Sequence, residues 1–142
     1  MKHTKFAVVV MLVALSGLAV AQLIGSSTRI VSQVPFDFTV ANKTVPAGQY
    51  VVQAATMDGK TLMISNAGAK VGLMSPAFPT EEKRGAAHYA LVFDHYGDRY
   101  FLSGIRLEGS KTFYKLPESK VEAELRAQNV TSPEEVLVAA QR

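Results

Sequence analysis

Apolar and polar residues alternate through most of this chain, with the period-two rhythm of strands that bury one face. Val34, Phe36, Phe38 and Val40 interleave with Pro35, Asp37, Thr39 and Ala41, which predicts a strand that Pro35 confines to a sheet edge or a strand start. Val45-Pro46-Ala47-Gly48 predicts a type II turn with Pro46 in its second position, leading into Tyr50, Val52 and Ala54. Asp58-Gly59 predicts a two-residue hairpin loop into Leu62 and Ile64, and Asn66-Ala67-Gly68 another turn into Val71, Leu73 and Met74. Residues 76–85 follow no period and are predicted to be the one long loop. Tyr89, Leu91 and Phe93 then alternate with His88, Ala90 and Val92. A three-residue turn through His95-Tyr96-Gly97, with Gly97 left-handed, returns the chain through residues 99–107. Glu108-Gly109-Ser110 turns it again into Thr112, Phe113 and Tyr114. With residues 29–32 as a first strand, seven to eight strands joined by short turns predict an all-β fold, an antiparallel sandwich or a small barrel.

The pattern changes at both ends. Lys2, His3 and Lys5 precede an apolar run over residues 6–20, with Ser16 its one polar residue, that closes on Ala19-Val20-Ala21, the order of a cleaved signal peptide. The run is shorter than the roughly 20 residues that span a bilayer, and no charge cluster follows it. Residues 1–21 are therefore expected to be removed; a retained membrane anchor is the alternative. Residues 22–142 form one domain, with strands in 22–116 and a helical tail in 117–142. Ser119-x-x-Glu122 and Ser132-x-x-Glu135 both have the capping-box pattern, and Pro133 fits a first helical position. Two short C-terminal helices are predicted, docking through Val121 with Leu125 and through Val136 with Ala140.

Charge adds little. The formal net charge of +3 includes Lys2 and Lys5, so the exported domain is close to neutral. Lys43, Lys60, Lys70 and the Lys83-Arg84 pair are scattered through turns instead of forming the single basic face of a nucleic-acid binder. The chain has no cysteine and no tryptophan, which excludes disulfides and a lipid-modified cysteine and weakly favours a bacterial product. A transmembrane barrel would consume nearly the whole domain and leave the helical tail no place.

Four motifs then stand together: Val34-Pro35-Phe36-Asp37-Phe38, Pro46-Ala47-Gly48-Gln49-Tyr50, His95-Tyr96-Gly97-Asp98-Arg99-Tyr100-Phe101-Leu102 and Leu116-Pro117-Glu118-Ser119-Lys120. In order and spacing, from about residue 34 to 126, the chain resembles a family of small, exported, uncharacterised β-rich proteins of acidobacteria and similar Gram-negative bacteria. The resemblance implies a periplasmic or secreted setting and carries no activity with it.

Catalytic chemistry finds few residues to work with. His88 and His95 are the only histidines of the exported domain, too few for a zinc site without carboxylates such as Asp94 or Asp98, and a regular strand would place them on opposite faces. Ser103 stands mid-strand beside Gly104 with no nucleophile elbow, so a bulge or a close backbone approach is the expected reading. No metal, cofactor or catalytic residue is assigned. The densest polar and aromatic cluster surrounds the Gly97 turn, and His95, Tyr96, Arg99 and Tyr100 are the candidate ligand-binding residues. The expected function is an exported, non-catalytic binding or structural protein of the bacterial envelope. Its partner or ligand is unspecified, with no nucleic acid and no membrane contact beyond the signal peptide. Two alternatives are a small periplasmic hydrolase using His88 or His95 and a small barrel carrying an apolar ligand. The barrel needs an interior cavity, which small inward residues favour and inward Phe and Leu exclude.

Overall fold

Among residues 28–128 and 132–142, which the computed structural model of the chain describes, the alternation becomes eleven strands and one helix. The expected signal peptide, with the anchor alternative, lies outside the described residues. In chain order the elements are β1 (Arg29–Val34), β2 (Phe38–Val40), β3 (Lys43–Val45), β4 (Gly48–Ala54), β5 (Thr61–Asn66), β6 (Val71–Pro76), β7 (Phe78–Glu81), β8 (Ala90–Tyr96), β9 (Arg99–Arg106), β10 (Thr112–Lys115), α1 (Lys120–Gln128) and β11 (Glu134–Gln141).

β1, β4, β5 and β6 pair antiparallel in turn, and β7 continues β6 beyond Ala77. β7 pairs with β10, β10 with β9 and β9 with β8. That order, 7-10-9-8, is a Greek key. β11 pairs with β8 along residues 134–139 and with β1 at Val31 and Ser32. The sheet thus curls nearly full circle into a barrel, and the short β2–β3 hairpin joins β9 through the parallel bridge of Thr39 to Phe101.

Three expectations about the strands and helices themselves are corrected. Eleven strands replace seven to eight. The segment read as one long loop contains β7, whose Pro79 pairs opposite Tyr114 on a strand that carries pairing along one side, the place where a missing N–H costs least. The predicted second helix is β11. Its capping-box pattern is local, whereas β1 and β8 each hold an edge that only a strand can fill. Val136, Val138 and Ala140 turn inward while Leu137 and Ala139 stay exposed, and tertiary pairing outweighs the helical signal.

The helix α1 forms as expected. Ser119 Oγ accepts the Glu122 N–H at 3.2 Å, and Asn42 Oδ1 accepts the Lys120 N–H at 3.0 Å. Its docking differs from expectation, because the buried side chain is Glu122 while Val121 is exposed.

The turns differ mainly in length. Tyr96 pairs with Arg99, so the β8–β9 loop is only Gly97-Asp98, with Gly97 at φ 62°. Positive φ at the first of two central residues is the type II′ arrangement. Between β4 and β5 the loop runs from Ala55 to Lys60, with Gly59 at φ 70°. At the expected type II turn, Ala47 does not take positive φ; Gly48 does, at 152°. Asp37 Oδ1 accepts the Ala47 N–H at 2.9 Å and holds the corner.

The core fills unevenly. Phe38, Tyr50 and Phe93 meet edge to face, with ring centroids 4.9 Å apart for Phe38 and Tyr50 and 5.2 Å for Phe38 and Phe93. They occupy the end nearest the β8–β9 turn. Toward the opposite end the inward residues of β4 shrink from Tyr50 through Val52 to Ala54.

Candidate functional site

The four residues singled out around the Gly97 turn do not form one site. Strand alternation sends His95 and Tyr100 to the inner face and Tyr96 and Arg99 to the outer face. Inside, Tyr100 is sandwiched: Phe36 stacks on it at 3.7 Å and His95 at 4.1 Å between ring centroids. His95 Nδ1 lies 3.5 Å from Glu134 Oε2 on β11. These three rings plug one end of the barrel.

Outside, Tyr96 meets Phe101 edge to face at 5.7 Å, and the Arg99 guanidinium lies 5.9 Å above the same Phe101 ring. Burial pushes the Tyr96 hydroxyl up to about 12, and the nearby Glu122 and Asp94 carboxyls add to the shift. Tyr96 is therefore a packed wall residue beneath α1.

The other sequence candidates resolve into structure. His88 is exposed and precedes β8, so it does not share the regular strand that would have set it against His95. No group of three or more His, Asp or Glu side chains converges in metal-binding geometry among the described residues. Ser103 is the extra residue of a β-bulge, because Val92 pairs with Gly104 and Phe93 with Leu102. Its Oγ donates to the Val92 carbonyl at 3.1 Å. Gly104 is a close approach: a Cβ there would lie 2.2 Å from the Phe113 ring and 2.8 Å from the Tyr114 carbonyl.

Beneath α1 an acid pair meets. Glu122 is 5% exposed. Burial, a hydrogen bond with Asp94 and the charges of Asp94 and Glu118 push its carboxyl up to about 8, against the pull of Arg126. The raised Glu122 carboxyl meets Asp94 where the helix lies on the sheet, which accounts for a docking face that is not apolar.

An open, mostly apolar feature lies at the far end of the barrel. A cavity of about 230 Å³ opens where β1 and β5 begin and β4 and β9 end. Its walls are Ile30, Val52, Leu62, Ile105, Leu107 and Tyr114. Ile30 faces Val52 across the β1–β4 ladder, Ala54 faces Leu62 across β4–β5, and Tyr114 faces Ile105 across β9–β10. The loop between β4 and β5 forms the rim, with Met57 fully exposed on it. Thr56 Oγ1 donates to Asp58 Oδ1 at 2.5 Å, and the same oxygen accepts the Lys60 N–H at 3.0 Å. These bonds fix the rim loop while Met57 stays free to adapt.

On the outer wall beside this end, Arg106 donates to Glu82 and to Glu135 at 3.0 Å each and lies 5.3 Å over Phe113. It ties β9 to β11 and to the β7–β8 connection, so the strands bounding the mouth are held from outside. The sequence carried a signal for the cavity in the taper from Tyr50 to Ala54. Inward Phe and Leu at the opposite end masked it. Comparisons with protein-family models, with curated proteins and with solved structures find no match to this chain.

Proposed function

We propose that this chain is a non-catalytic binding protein that takes a small apolar molecule into the open mouth of its barrel. The observation that carries the reading is the cavity of about 230 Å³ between Ile30, Val52, Leu62, Ile105 and Leu107. An apolar concavity with a few polar groups at its rim, in a barrel mouth, is a common form of small-ligand site. The alternative of a hydrolase gains no support from the histidines, since His95 is stacked on Tyr100 beside Glu134 and His88 is exposed elsewhere.

Export belongs to the same proposal and rests on the sequence: the basic start, the apolar run and Ala19-Val20-Ala21, together with the resemblance to exported acidobacterial proteins. A carrier or sensor of apolar molecules in the bacterial envelope fits both parts. Organic extraction of the protein purified from its own cells, followed by mass spectrometry, tests the binding. An apolar small molecule should leave with the wild type and be missing from Ala54→Phe, which fills the mouth. The same set of molecules from both proteins would contradict it.

A further inference from the structure

The lining of the mouth restricts what can enter, and this deepening rests on the binding reading above. None of the lining residues is charged: the polar groups there are Thr28, Gln53, Thr56 and the Tyr114 hydroxyl. Burying an ion without a partner costs far more than burying a hydroxyl or an amide. On the rim, Asp58 is held below the usual carboxylate range by hydrogen bonds from Thr56 and the Lys60 backbone, with the Lys60 charge a smaller influence. The Asp58 carboxylate is thus engaged within its own loop. Among the described residues no buried side-chain nitrogen or oxygen lacks a hydrogen-bond partner, so the deep wall has no polar atom waiting for a ligand. Size sets the second restriction: about 230 Å³ is below the roughly 300–1,000 Å³ of sites for drug-sized molecules.

We infer that the mouth selects an uncharged, mostly apolar molecule with one hydrogen-bonding end, such as a short-chain alcohol, ester or amide. Fatty-acid anions are disfavoured by charge, since no lining residue offers a cation to the carboxylate, and two-chain phospholipids are disfavoured by size. The apolar body lies against Val52, Leu62 and Ile105, and the polar end stays at the rim with Thr28, Gln53 and Thr56.

1-Octanol and octanoate at pH 8 test this, because they share a chain and differ in charge. Binding is followed by NMR shifts of the Met57 methyl, Leu62 methyl and Tyr114 ring signals. Octanol should shift all three saturably, and octanoate should bind at least tenfold more weakly. Thr56→Lys, which brings an ammonium to the rim, should narrow that gap. Equal affinity for the two ligands at these signals would overturn the charge selection and leave the binding site standing. Octanol shifts confined to other residues, or no shift with either ligand, would overturn the site as well.

Discussion

At the residue scale, two glycines in β strands separate permissive from enforced positions. A Cβ on Gly104 would meet the Phe113 ring at 2.2 Å, whereas one on Gly72 would meet nothing within 4 Å. Gly104→Ala should therefore cost about 1–3 kcal/mol by overpacking, and Gly72→Ala should lie within about 0.5 kcal/mol of wild type. Urea unfolding of the two variants measures the difference, and equal midpoints would deny the close approach. The close approach at Gly104 was legible, because a glycine beside Ser103 in an apolar strand signals a bulge. Other turn chemistry was hidden. Ala41 and Asn42 both take positive φ, at 51° and 62°, although Ala41 continued the alternation and gave no turn signal. The sequence marked Gly97 as left-handed and assigned Gly109 only to a turn, yet both are left-handed, at 62° and 77°, with open space where a Cβ would be.

At the element scale, α1 and β11 began from the same capping-box pattern and ended differently. Ser119 caps α1, but Glu122 turns to Asp94 and makes the helix contact titratable. Its carboxyl is raised in the folded state to about 8. The folded protein thus binds the proton more tightly than the unfolded chain, and stability falls as pH rises from the ordinary glutamate range through about 8. Thermal melts from pH 5 to pH 9 should show that loss, and Glu122→Gln should flatten the profile over the same window. A wild-type melting point that rises across it would contradict the raised Glu122 carboxyl. For β11 the alternation makes the test. Val138 faces the core and Leu137 is 56% exposed, so Val138→Asp should cost on the order of 3 kcal/mol and Leu137→Asp less than about 1 kcal/mol. Comparable losses would fit a helix stripe instead. The strand was illegible because its partners, β1 and β8, lie far away in sequence, and local capping signals say nothing of vacant edges.

At the scale of the whole molecule, the all-β class was legible in the period-two pattern, and the sandwich-or-barrel choice was not. Closure depends on β6 continuing into β7 across Ala77 and on β11 filling the gap between β8 and β1. Neither follows from local periodicity. The candidate site moved for the same reason. Polar and aromatic density drew the reading to His95, Tyr96, Arg99 and Tyr100, which alternation then split between a stacked plug and an outer wall. The open end is built from ordinary apolar residues whose convergence only the closed sheet creates. The central claim is that binding belongs to this mouth and not to the Gly97 turn. A fluorescence titration with the neutral apolar dye N-phenyl-1-naphthylamine tests it on wild type, Ala54→Phe and the Tyr96→Ala, Arg99→Ala double variant. Saturable binding that disappears in Ala54→Phe and survives in the double variant is the predicted result. Binding that survives Ala54→Phe and disappears in the double variant would contradict it.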